Sequence, residues 1–417
     1  MADVFQGSDE LTYASSVPTD RQTRYTHWKK NTKLLYDYLN TNSTKWPSLT
    51  CQFFPDLDKT KDEHRILLSS FTSSQLPEDE SVYVARFSSL KHVPWSSLTN
   101  FDMEEMEFKM DNSVKLPSKN LQDDLEIKFP AGDCNRARYC PLNPDIVGTA
   151  SSNGSIYIFD RTKHGSARQK SISGGESPFE IECNLTQAVE DQDNEVVSIA
   201  WNWQREGLLA GCYSKGKLGV WDLTKYNSKS PSFSSPVHLM QVDNKGCNDA
   251  SWMVHHDSLL ACCGDDNVLG LLDIRTAKRT VQSQSNHHEK GINACQFNYQ
   301  QDMLLASADA SGKVNLWDIR DFSEPIKTWE HGNSISALQW NPHISTVIGT
   351  ADQTDGLVKL WDISQPTDEE LIFTHGGHML GVNDISWNLH DPWLICSVSN
   401  DNSVQIWKPA NTLVAVV

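Results

Sequence analysis

A short ending recurs six times along this chain: Ile158-Phe159-Asp160, Val220-Trp221-Asp222, Leu271-Leu272-Asp273, Leu316-Trp317-Asp318, Leu360-Trp361-Asp362 and Ile406-Trp407-Lys408. The middle positions lie 62, 51, 45, 44 and 46 residues apart. A repeat of this length means stacked copies of one small unit, none of which buries its apolar face alone. Each ending follows a turn and a short strand, as in Ala310-Ser311-Gly312-Lys313-Val314-Asn315-Leu316-Trp317. Further upstream a second strand ends in an aromatic residue, as at Trp201, Trp252, Phe297, Trp340 and Trp387. Between the two lies a third, such as Leu304-Leu305-Ala306-Ser307-Ala308. Short strands with turn signals at this spacing read as antiparallel sheets.

The last three intervals and the Trp-Asp ending match the period of WD repeats, whose sheets are the blades of a propeller. Six endings are visible, and Arg65–Ser70 followed by Ser81–Ser88 supplies a degenerate seventh. The expected fold is therefore all-β, a seven-bladed WD40 β-propeller over residues 49–408 with an N-terminal α-helix packed on its flank. Ring closure requires one blade shared between the two chain ends. The strand Leu49-Thr50-Cys51-Gln52-Phe53-Phe54 is expected to close the last blade. The 14 tryptophans then find their place as blade core.

Charge narrows the ligand. With 54 acidic against 36 basic side chains the formal charge is −18. Affinity for a nucleic-acid backbone comes from cations that neutralise phosphates, so direct DNA or RNA binding is not expected and a basic protein partner fits better. The ten cysteines include no Cys-x-x-Cys pair and no zinc-finger spacing, and read as small buried apolar residues in a reducing compartment. Met1–Pro18 lacks the apolar core of a secretion signal, and 18 consecutive apolar residues occur nowhere, so the expectation is an intracellular chain with no membrane contact. His375-x-x-His378, His287-His288 and His331 are the best metal or catalytic candidates. Gly-His pairs in such repeats serve internal hydrogen-bond networks, and no phosphate loop, nucleophile elbow or zinc-hydrolase motif occurs. The reading is a non-enzyme without metal or cofactor.

Outside the repeats, residues 1–19 read as a disordered N-terminus and 409–417 as a tail. A helix is expected over 20–41, with Thr19 and Gln22 at capping-box spacing. Tyr25, Trp28, Thr32, Leu35, Tyr36 and Leu39 recur at helical intervals and form the stripe that packs on the ring. Leu34 and Tyr38 fall about 100° away. They are either incidental apolar residues on a solvated helix or half of a groove for a partner helix. The segments 100–126 and 165–194 are expected to be mobile insertions, and 364–372 an acidic loop carrying Asp368, Glu369 and Glu370.

Trp28-Lys29-Lys30-Asn31-Thr32, Leu35-Tyr36-Asp37, Trp46-Pro47-Ser48-Leu49-Thr50, Asn135-Arg136-Ala137-Arg138-Tyr139, His375-Gly376-Gly377-His378 and Pro392-Trp393 carry a resemblance. From about Arg21 to Lys408 the chain resembles the MSI-type, retinoblastoma-binding WD-repeat histone chaperones. Within them it is most similar to the small (third) subunits of chromatin assembly factor one of the budding-yeast type. The resemblance implies a groove that grips the first helix of histone H4. Its helix side would be Asn31, Leu34, Leu35, Asp37 and Tyr38, and its loop side Asp368, Glu369, Glu370, Leu371 and Ile372. That loop is shorter than is usual in the family. Many relatives also bind the histone H3 tail on the narrow face through a circle of carboxylates. Only Asp133 with Asn135, and Glu195, match that circle, while Lys45, Asn248, Ser334 and Asn400 stand where relatives place acids, so weak or absent H3-tail binding is expected.

The implied role is a nuclear histone H3–H4 binding subunit for replication-coupled nucleosome assembly, with the cytoplasm as a second location. Its partners would be the large and middle subunits of chromatin assembly factor. The alternatives are an accessory subunit of a histone acetyltransferase, deacetylase or methyltransferase complex, or a generic WD scaffold such as a ubiquitin-ligase adaptor.

Overall fold

The computed structural model describes residues 19–58, 63–89, 101–102, 107–108, 121–164, 179–185, 193–225, 232–233, 235–276, 278–282, 287–366 and 369–414. Within them seven antiparallel sheets stand around one axis. Their innermost strands are Cys51–Asp58, Cys134–Cys140, Val196–Trp201, Cys247–Trp252, Ile292–Phe297, Ile335–Trp340 and Val382–Trp387, which begin blades 1 to 7. Each touches the next and the seventh touches the first, so the ring closes.

The tryptophans do two jobs. At the ends of inner strands, Trp201, Trp252, Trp340 and Trp387 donate their indole N–H to the carbonyls of Arg138, Ala200, Gln296 and Gln339 on the preceding blade, at 2.8–3.0 Å. In the recurring ending the tryptophan is instead held within its own blade. Trp361 donates to Thr350 Oγ1 at 2.7 Å, and that hydroxyl also meets His331 Nδ1 at 2.7 Å. Ser397 serves Trp407 and His378 in blade 7 in the same way, and Ser307 serves Trp317 and His288 in blade 5. A buried indole N–H left without an acceptor is costly, so these networks also fix which face of the strand turns inward. His331 and His378 are spent inside blades and are not exposed ligands. All ten cysteines are free and buried.

Closure differs from the sequence expectation. The helix α1 spans Thr19–Leu35, and the chain then becomes strand β1, Tyr36–Ser43. It is β1 that pairs antiparallel with Ser403–Pro409 and completes blade 7. The expected closing strand, which begins at Leu49, lies instead within and just before the innermost strand of blade 1. Burial explains the exchange. Cys51, Phe53 and Phe54 are covered on both faces, which suits a strand packed between neighbouring blades, whereas β1 is mostly half-buried, which suits an outer edge. The helix gives way at Tyr36 because its hydroxyl takes the Trp28 indole N–H at 2.7 Å and meets His375 Nδ1 at 2.7 Å. Leu39 and Tyr38, expected on the helix, therefore lie on β1. The Thr19 side chain lies outside the described residues.

Two segments expected as mobile insertions contain strands. Gln122–Lys128 is the outer strand of blade 1 and Ile181–Asn184 that of blade 2. In the first, only Leu125 and Ile127 are buried between charged residues, an outer-strand alternation that composition reads as polar loop. Ser232–Phe233, from the connection leaving blade 3, adds a fifth strand to blade 2. Other parts of 100–126 and 165–194 lie outside the described residues.

Candidate functional site

Helix α1 crosses the flank between blades 6 and 7. Its N-terminal half is tied to blade 6 by Arg21, 3.0 Å from Asp355, and by Arg24, which donates to the carbonyls of Asp355 and His378. Trp28 is buried edge-on against His375 and Tyr36. Gly377 permits this approach, since a β-carbon there would lie 2.8 Å from the Trp28 ring and 2.2 Å from Gln405 Oε1.

One core cluster joins the parts of this flank. Trp28 and Tyr36 pack with Phe373, Trp407 and Val414, and Leu35, Leu39 and Ile372 cover its edge. Val414 belongs to a one-turn helix α2, Asn411–Val414, which packs on the outer strand Leu371–His375 of blade 6. The Leu35 carbonyl accepts the Ala410 N–H at 2.8 Å, and Asp37 Oδ2 accepts the Asn411 N–H at 3.0 Å, so the end of the chain is fastened to the end of α1. Three large apolar side chains stay exposed: Leu34 at 74%, Leu371 at 45% and Leu413 at 41%. Each is the chain neighbour of a residue in the cluster, namely Leu35, Ile372 and Val414. Folding thus draws three separate segments to one place and leaves an apolar margin around it, a form suited to the apolar stripe of a helix.

The expected site residues divide. Asn31 is exposed and donates to the His27 carbonyl one turn back at 2.9 Å. Tyr38 is not on the helix: its hydroxyl donates to the Ser88 carbonyl at 3.1 Å and its ring packs where blades 7 and 1 meet. Glu370 is turned inward, only 3% exposed, with Lys327 Nζ 3.0 Å away. Lys327 also donates to the carbonyls of Gln365 at 2.6 Å and Ile363 at 3.3 Å, so this pair fastens the acidic loop to blade 5. Glu369 is exposed, and Asp368 lies outside the described residues. Leu413 and Val414 went unnoticed in the sequence. Their signal was a Leu-Val pair following the last repeat, in a stretch read as tail.

On the narrow face, Asp133 is 8% exposed and both its oxygens are taken by Ser74, from the backbone N–H at 2.7 Å and the hydroxyl at 2.9 Å. Asn135 donates to the Val196 carbonyl of the next blade at 2.8 Å. Asn248, Asn293 and Asn383 make the same latch to Ile292, Ile335 and Ser48, so Asn135 is one of a set that joins blades. Lys45 is paired with Asp79 at 2.6 Å, and Asn400 accepts from Asn383 at 2.9 Å. Glu195 alone of the three is an exposed carboxylate. Behind this face, burial and the neighbouring Asp133 push the Glu80 carboxyl up to about 7, against the Thr72 N–H that it accepts.

A family model that describes histone-binding protein RBBP4 or a component of the CAF1 complex matches residues 23–91, which hold α1, β1 and the start of blade 1. A second, the N-terminal domain of nucleolar protein 10-like proteins, a β-propeller, matches residues 222–407. Among curated relatives, histone-binding protein MSI1 of Saccharomyces cerevisiae is 58% identical over 423 aligned residues, spanning 98% of this chain and 99% of that protein. With identity of that depth along the propeller and its flanking helix alike, the chain belongs to the MSI-type, retinoblastoma-binding family of WD-repeat histone chaperones.

Proposed function

We propose that the chain is a histone-binding subunit that holds the first helix of histone H4 on the flank between α1 and the loop before blade 7. It hands on H3–H4 for nucleosome assembly behind the replication fork, in the nucleus. It works beside the large and middle subunits of a chromatin assembly factor and has no catalytic turnover of its own. The observation that carries this reading is the apolar margin of Leu34, Leu371 and Leu413 around the Leu35, Ile372 and Val414 cluster. An amphipathic helix laid there would bury its stripe, and Glu369 at the margin would meet its cations through charge-assisted hydrogen bonds. The relative is named for histone binding, the matched family model refers in part to the CAF1 complex, and a formal charge of −18 complements a basic histone.

The test is calorimetry of the full chain with an H4 first-helix peptide and with H3–H4. Leu34→Asp and Leu371→Asp should each weaken binding by about 1–3 kcal/mol while the melting temperature stays that of the parent. Undiminished H4 binding in both variants would overturn the groove. For the assembly role, affinity purification from nuclear extract should recover the two larger assembly-factor subunits with histones. Recovery of acetyltransferase, deacetylase or methyltransferase subunits in their place would favour the accessory role.

A further inference from the structure

The axial channel, of about 400 Å³, has one end unlike the rest of the surface. Two positions after the residue that ends each inner strand's aromatic register, all seven blades present an apolar or aromatic side chain to the channel mouth. Three are prolines, Pro55, Pro141 and Pro342; two are aromatic, Trp203 and Tyr299; two are aliphatic, Val254 and Leu389. None is buried. Trp203 and Tyr299 reach past the intervening blade to meet at 5.6 Å, edge to face.

The collar is held in place by the residues that follow it. Gln204 donates to the Val254 carbonyl at 2.9 Å, Gln300 to that of Pro342 at 3.1 Å, and His390 Nε2 lies 2.8 Å from that of Pro55. The backbone acceptors of the mouth are thereby covered from outside, and what faces inward is apolar surface. Deeper in the channel the charges are spent on each other: Arg138 holds both oxygens of Asp384 at 3.1 and 2.8 Å, and Asp249 accepts from Ser198 at 2.8 Å.

Charge selects the occupant. Around the mouth Asp56 is paired with Arg65 at 2.5 Å, Asp302 with His255 at 2.6 Å and Asp391 with Lys408 at 3.0 Å. Further out, Glu206 accepts from Asn143 and Asp257 from Ser258. Arg205, His343 and His390 are exposed on the turns beside the collar. In a chain of formal charge −18, the carboxylates at this mouth among the described residues are already engaged, the reverse of what a basic histone segment requires. We propose that this end of the channel docks a non-histone protein segment that inserts one bulky apolar side chain through the collar and sets carboxylates against Arg205, His343 and His390. A rigid pocket filled by a single anchor residue is the usual form of an interaction hot spot. The site lies apart from the flank that receives H4 in the proposed function, and the two are separable.

The probe is a phage-displayed random heptapeptide library selected on the folded full chain. The enriched peptides should carry one Leu, Phe or Trp flanked by Asp or Glu. As synthetic peptides they should bind Val254→Glu and Leu389→Glu at least about tenfold more weakly, and Leu34→Asp unchanged. All three variants are checked for the parent's melting temperature. No enrichment over the starting library, enrichment of basic peptides, binding that survives both collar variants, or binding lost in Leu34→Asp would each overturn the proposal.

Discussion

The Asp37 carboxylate accepts the backbone N–H of Asn411 at 3.0 Å, joining residues 374 apart in the chain. Asp37 follows the end of α1 by two residues, and Asn411 opens α2, so one carboxylate caps a helix supplied by the far end of the molecule. Asp37→Ala should cost about 1 kcal/mol, the usual worth of a capping oxygen, in denaturant unfolding. It should also weaken binding of the H4 first-helix peptide, because Leu413 and Val414 lose their tether. Unchanged peptide affinity with the lowered stability would show that α2 is no wall of the groove.

Glu369 and Glu370, adjacent in sequence, should respond oppositely. Glu370→Ala leaves the Lys327 ammonium, 16% exposed, without its carboxylate and should destabilise the fold by roughly 2–3 kcal/mol. Glu369→Ala should change stability by less than about 0.5 kcal/mol and reduce H4 affinity. Paired unfolding curves and calorimetry separate the two, and equal stability losses would contradict the inward turn of Glu370.

A pH effect follows from Glu80. Its carboxyl titrates at about 7 in the fold against an ordinary 4.5, so the folded state holds the proton more tightly than the unfolded chain. The stability this confers is fully present below pH 4.5 and is lost as the pH rises through about 7. Glu80→Gln, which keeps a donor beside Asp133 at every pH, should flatten the difference in unfolding free energy measured between pH 5 and pH 8. An unchanged slope would mean that another group carries it.

An isolated H3 tail should bind the narrow face more weakly than low micromolar. Asp133 has both oxygens engaged by Ser74 and Asn135 latches blade 3, so neither offers a free acceptor where a lysine or arginine would approach. Fluorescence anisotropy with a labelled tail measures this directly, and low-micromolar affinity would refute it.

The repeated ending made the ring legible, because a Trp at fixed spacing needs the same acceptor and the same neighbouring strand in every blade. The edges were harder to read. Tyr36 and Leu39 fit a helical stripe as well as a strand, and local periodicity cannot distinguish the two when the deciding partners, His375 and Ser403–Pro409, lie more than 330 residues away. Tyr38 and Glu370 looked like surface groups for the same reason. Their partners Ser88 and Lys327 come from other blades, and no spacing rule announces them.

The sequence by itself determined the number of blades, the burial of the tryptophans and the family, since these rest on periodic contacts within and between identical units. Only the tertiary structure decided which segment closes the ring, that the last residues form part of the flank, and which of two neighbouring glutamates faces solvent. Those outcomes depend on contacts between segments remote in sequence, whose free energy appears only once the ring has brought them together.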